Sequence, residues 1–142
     1  MPEIRSQQVL GFDFGLKRIG VAVGQTLTKT AKPLVTLQAQ DGTPRWEDVA
    51  KLIAEWQPDI LVVGIPLNMD GTSQPLTDFA KRFANALELH YHLPVYGMDE
   101  RLSTVDARER LFESGGYRAI KSGIVDQVAA QLILESWMRE QR

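Results

Sequence analysis

Apolar positions along this chain follow two rhythms, and the changes between them lay out the fold. Val9–Phe14 and Ile19–Val23 are apolar runs separated by four residues that begin with Gly15, which predicts a β-hairpin with a short turn. Side chains alternate along a strand, so Leu10, Phe12 and Phe14 point one way and Val9, Gly11 and Asp13 the other. Pro33–Leu37 predicts a third strand with the proline at its start or edge. Beyond it the period lengthens. Trp46, Val49, Leu52, Ile53 and Trp56 recur at helical spacing, which predicts a helix over Arg45–Trp56, with Thr43 as N-cap, Pro44 opening the first turn and Gln57-Pro58 as the stop.

Ile60–Val63 is continuously apolar, as a parallel strand covered on both faces should be. It runs into G-I-P-L-N-M-D-G at 64–71, a loop with glycine at both ends. Pro75 opens a long helix whose stripe is Leu76, Phe79, Ala80, Phe83, Ala84, Leu87 and Tyr91. Pro94–Met98 is a short fifth strand that ends directly in Asp99-Glu100-Arg101-Leu102-Ser103-Thr104. Ser103 with Asp106 resembles a capping box for a helix running to Phe112, and Ile124–Met138 forms the last helix. The expected fold class is therefore α/β: a five-stranded mixed sheet, an antiparallel three-strand meander plus two parallel strands, with helices on both faces. With the first, fourth and fifth strands side by side, their carboxyl ends gather Asp13, Gly64 and the Asp99-Glu100 pair at one edge, where open α/β sheets bind ligands.

Composition narrows the class. A chain of 142 residues, 44% hydrophobic and 24% charged, suits one domain over 1–142 with a proper core. It has no cysteine, which excludes disulfides and thiolate metal sites. There is no apolar run near ~18 residues and no signal-peptide pattern in M-P-E-I-R-S-Q-Q, so the expectation is a soluble cytoplasmic protein with no membrane partner. A net charge of −2 argues against a strongly electrostatic nucleic-acid binder but leaves room for a local basic patch.

Two carboxylates stand where apolar residues belong. Asp13 ends an apolar strand, where an ionised group costs several kcal/mol unless a cation or hydrogen bonds compensate it. Aspartate before a turn glycine is also a common turn residue. The facing strand offers Gly20, Ala22 and Gly24, small enough for a ligand or another backbone to approach. Asp126 shares a helical stripe with Ala129, Ala130 and Ile133, whereas Gln127, Gln131 and Glu135 mark the polar side. A dipole role in the first turn does not need that apolar side. Glu100 is favoured over its neighbour Asp99 as the third acid because it has the longer reach, with Asp99 as an accessory. Three converging carboxylates repel one another unless a cation sits among them. With only His90 and His92 as nitrogen ligands, near a helix end, that cation is hard and oxygen-loving: Mg²⁺ first, Mn²⁺ second. Such a site suits phosphodiester hydrolysis. Lys17, Arg18, Arg101, Arg108, Arg110, Arg118 and Lys121 lie near this edge and suit phosphates, and the 64–71 loop offers backbone amides for the same task.

Four stretches carry a resemblance: D-F-G-L-K-R-I-G-V-A at 13–22, V-G-I-P-L-N-M-D-G at 63–71, D-E-R-L-S-T at 99–104 and V-D-Q-V-A-A-Q-L-I-L at 125–134. In this order and spacing they resemble the YqgF family, bacterial pre-16S ribosomal RNA nucleases also described as Holliday-junction resolvase-like. The resemblance implies a ribonuclease H-like fold, an acidic site of Asp13, Asp126 and a carboxylate of the Asp99-Glu100 pair, and maturation of the 5′ end of 16S ribosomal RNA. Within that fold superfamily the fourth strand often bears another acid, where this chain has Gly64, Ile65 and Pro66. The combined expectation is a metal-dependent nuclease on structured RNA with Asp13, Glu100 and Asp126 as catalytic metal ligands. Lys17, Arg18, Asn68, Arg101, Ser103 and Thr104 are its expected nucleic-acid contacts, and the chain is a monomer or weak homodimer. The alternatives are a resolvase of branched DNA, which needs a dimer, and a non-catalytic RNA-binding factor. An ATP-dependent actin-like protein ranks last, because the chain is too short for two lobes.

Overall fold

The computed structural model describes residues 6–99 and 124–141. The predicted helix from Ser103 to Phe112 lies outside them, as do Glu100, Arg101, Ser103 and Thr104. Its elements are β1 (Gln8–Asp13), β2 (Arg18–Gln25), β3 (Thr30–Gln40), β4 (Thr43–Pro44), α1 (Trp46–Trp56), β5 (Ile60–Ile65), α2 (Pro75–Tyr91), β6 (Val95–Asp99) and α3 (Ile124–Glu140). The sheet has the order β4-β3-β2-β1-β5-β6. β1, β2 and β3 form the expected antiparallel meander, and β5 and β6 run parallel to β1.

The sheet has six strands rather than five. Asp41 and Gly42 both take positive φ, 51° and 83°, and turn the chain back so that Thr43 and Pro44 pair with Gln40 and Ala39. These two residues therefore extend the sheet instead of starting the helix. α1 begins at Trp46 with Arg45 at the N-cap and no side-chain cap bond. β3 is also longer than its apolar run. Its pairing with β2 skips Leu34, since Val21 faces Val35 and Ala22 faces Pro33. One extra residue changes the alternation, so Leu34 and Leu37, three apart, both join the same core cluster.

The two faces of β1 and β2 separate as alternation requires. Leu10, Phe12, Phe14, Ile19, Val21 and Val23 pack with α1 and α2 in one buried cluster. All seven residues of the α2 stripe join it, and so do all five of α1. Full burial of side chains such as Phe12 and Leu10 contributes roughly 1.5–3 kcal/mol each. Both helices close on a left-handed residue ahead of a proline: Gln57, whose N–H reaches Ile53 O, and His92, whose N–H reaches Glu88 O.

On the opposite face α3 lies across the small residues. A β-carbon on Gly11 would meet the Leu134 side chain, one on Gly24 would meet Met138, and Ala22 packs with Ala130, Ile133 and Leu134. The glutamine side of this helix does not face water. Gln127 Nε2 donates to Thr36 Oγ1 at 3.1 Å and Gln131 Nε2 to Ala31 O at 3.0 Å, which ties α3 to β3. Val128, Ala129 and Leu132 form a separate buried cluster with Val125, so α3 is apolar on two sides.

Candidate active site at the carboxyl ends of the parallel strands

Strand register assembles the site. Asp13 ends β1 directly opposite Gly20 of β2 on one side and Gly64 of β5 on the other. Gly64 in turn faces Met98, which puts Asp99 one residue beyond that row, opposite Ile65. Position 64 thus adjoins Asp13 in the sheet and carries no side chain.

The helix brings in the second acid. A β-carbon built on Gly20 would stand 2.0 Å from the Asp126 carbonyl oxygen and 2.8 Å from the Asp126 β-carbon. The approach that Gly20 permits is therefore that of a backbone, the first turn of α3. Directly opposed residues in an antiparallel pair hold their β-carbons ~4.5–5.5 Å apart on the same face, so the β-carbons of Asp13 and Asp126 lie within roughly 8 Å of one another. Two acids 113 positions apart in sequence become neighbours because one residue between them has no side chain.

Arg18 joins them. It lies two residues before Gly20 on the same face of β2, and its Nε stands 3.4 Å from Asp126 Oδ2. The Asp126 side chain is 19% exposed, but Oδ2 itself is buried and has no hydrogen-bond donor among the described residues. Burial pushes the Asp126 carboxyl above its ordinary pKa, and the Arg18 charge works against that rise. Among the described residues no group of three His, Cys, Asp or Glu is arranged to hold a metal ion.

The remaining expected contacts are distributed unevenly. Lys17 is exposed in the β1–β2 turn, where its carbonyl accepts from Ala39 N–H. Asn68 is exposed, and its Nδ2 donates to Thr72 Oγ1 at 3.0 Å and to Ser73 O at 3.2 Å. The loop amides are engaged as well: Asn68 N–H with Thr72 O, Gly71 N–H with Asn68 O and Thr72 N–H with Asp70 Oδ1. These three donors close the loop on itself. His90 is exposed and stacks on Trp46 with ring centres 4.2 Å apart, away from any acid cluster.

Thr77 was not singled out in the sequence. It is the only buried polar residue among those described, donating to Pro66 O and accepting from Gln74 N–H at 3.0 Å. It fastens the loop after β5 to the first turn of α2. The signal was a threonine at the third position after Gln74, where a capping side chain belongs.

A mixed sheet with helices on both faces is a fold this chain shares with solved resolvases. Two solved structures share the fold over most of their length. The fowlpox virus resolvase, solved with Holliday junction DNA, is 13% identical with a TM-score of 0.58, covering 93% of this chain and 97% of that one. The T. thermophilus RuvC, solved with a Holliday junction substrate, is 15% identical with a TM-score of 0.54, covering 94% of each chain.

The particular family is fixed by sequence. Residues 7–140 match the family model described as "RuvX: Holliday junction resolvase", and the chain belongs to that family. Relatives described as "Putative pre-16S rRNA nuclease" include those of Aeromonas hydrophila subsp. hydrophila, 59% identical, and Yersinia enterocolitica, 57% identical. Each comparison covers 96% of this chain and 97% of the relative. Among the described residues no helix is long and apolar enough to cross a membrane.

Proposed function

We propose that this chain is a metal-dependent nuclease, one domain over 1–142, that hydrolyses phosphodiesters in structured RNA and processes the 5′ end of pre-16S ribosomal RNA. The observation that carries this reading is the seating of Asp126 on Gly20, directly across from Asp13. The naming of relatives with nearly the same length supports the substrate.

Asp13 and Asp126 are the proposed metal ligands, with Glu100 as the third and Asp99 as an accessory. The residues fit a hard divalent ion such as Mg²⁺ or Mn²⁺. Their donors are all oxygens, and Asp126 Oδ2 is a buried acceptor with no donor among the described residues. When bound, such an ion supplies water activation and neutralises charge on the scissile phosphate. The chain's own residues hold and orient. α3 fixes the Asp126 carboxylate above the sheet edge, and β1 fixes Asp13 beside it. Lys17, Arg18, Arg101, Ser103 and Thr104 are proposed to position phosphates. Asn68 has both Nδ2 hydrogens committed within its loop, leaving the Oδ1 acceptor, which suits a ribose 2′-hydroxyl rather than a phosphate oxygen.

Purified protein with Mg²⁺ or Mn²⁺ should cleave precursor 16S RNA, and Asp13→Asn should abolish cleavage while folding and RNA binding persist. Unchanged cleavage in Asp13→Asn removes the site. RNA binding without cleavage in the wild type supports a non-catalytic RNA-binding factor instead. The second reading, a Holliday-junction resolvase acting on DNA, is favoured by the family's own description. It requires a dimer that cuts branched DNA symmetrically, so a monomer at working concentration argues against it.

A further inference from the structure

Arg18 is in an unusual position for a phosphate contact, because its charge is already directed at an acid of the site. The contact is loose. At 3.4 Å between Nε and Oδ2 it is longer than the ~2.7–2.9 Å of a charge-assisted hydrogen bond. The Arg18 side chain is 47% exposed, whereas the oxygen it faces is buried and, among the described residues, without a donor. A structural ion pair has the opposite character: bidentate, tight and shielded on both partners. One end of this pair is free to move into water and the other is not.

From this geometry we propose that Arg18 competes with a divalent ion for the Asp126 carboxylate, so that ion binding requires Arg18 to withdraw. The inference rests on the divalent-ion reading of the site. Both cations satisfy the same buried oxygen, and their mutual repulsion at this spacing prevents them from sharing it at full strength. Because Arg18 stands at the exposed end of the strand face that also holds Gly20, withdrawal moves only its own side chain. No backbone element has to shift. The arrangement keeps the site's ion affinity low and leaves the guanidinium at the mouth of the site once the ion has entered, where it faces an incoming phosphate.

The test is titration calorimetry of Mn²⁺ into the full chain. Arg18→Gln should bind Mn²⁺ roughly three- to tenfold more tightly than wild type, the range for losing a nearby, partly screened cation. Arg18→Lys should remain near wild type. Asp126→Asn should weaken binding at least roughly tenfold, and adding Arg18→Gln to it should bring no further gain. Equal or weaker Mn²⁺ binding by Arg18→Gln, with Asp126→Asn still impaired, overturns the competition and leaves the ion site standing. Mn²⁺ binding that is absent, or that Asp126→Asn leaves unchanged, removes the ion site and this inference with it. Circular dichroism checks that each variant is folded. Arg18→Met, which keeps the side chain's apolar stem, repeats the comparison if Arg18→Gln is not folded.

Discussion

The backbone of Asp126 occupies the place where the β-carbon of any other residue at position 20 would stand. That contact connects the last helix to the strand opposite Asp13, and stability and chemistry meet there. Gly20→Ala forces the new β-carbon against the Asp126 carbonyl at 2.0 Å, so α3 must lift. We expect a loss of about 3 kcal/mol or more in urea unfolding, together with loss of cleavage. Gly24→Ala, which meets the flexible end of Met138 at 3.0 Å and the Thr30 carbonyl oxygen at 3.1 Å, should cost less, about 1 kcal/mol.

Asp126 should make metal-free stability fall as pH rises. Its folded-state pKa is raised by burial above the ordinary 3.8, with Arg18 opposing the rise. The folded chain therefore holds this proton to higher pH than the unfolded chain does. Stability from this group is greatest below the ordinary value and is lost as pH rises through the raised one. Asp126→Asn removes that penalty, so the metal-free variant should be more stable than wild type at neutral pH. The difference should vanish on acidification below the ordinary carboxylate range. Urea midpoints of the two proteins across pH measure this, and a variant less stable at neutral pH contradicts it.

Thr77→Val keeps the volume but leaves Pro66 O and Gln74 N–H without the hydroxyl they share. The expected cost is ~1–3 kcal/mol by thermal unfolding, the penalty for stranding buried polar groups. Faster amide exchange at Gln74 should accompany it.

Asn68→Ala should cost only about 1 kcal/mol or less, because its bonds to Thr72 and Ser73 are exposed. Hydrogen exchange at Gly71 and Thr72 should nevertheless quicken. If Asn68 contacts a ribose hydroxyl, affinity for RNA should fall more than affinity for DNA of the same sequence.

Much of the fold was legible because alternation and helical period are local. The faces of β1 and β2 and the stripes of α1 and α2 follow from residues close together in sequence. What was misread or left open depended on contacts with distant residues. Thr43 and Pro44 have the composition of a helix start, but the left-handed Asp41-Gly42 turn returns them to β3. Gln127 and Gln131 mark the polar side of α3, and the partners that side meets, Thr36 and Ala31, belong to β3. Neither partner is visible from the helix alone.

By itself the sequence determined that Asp13 and Asp126 were out of place, since a carboxylate in an apolar pattern is costly wherever the chain goes. It also determined that the strand facing Asp13 was built from small residues. Only the tertiary structure decided what filled that space, because glycine admits a ligand and a helix backbone equally well. It likewise decided that Arg18 faces an acid, since the reach of a long side chain is set by what packs beside it.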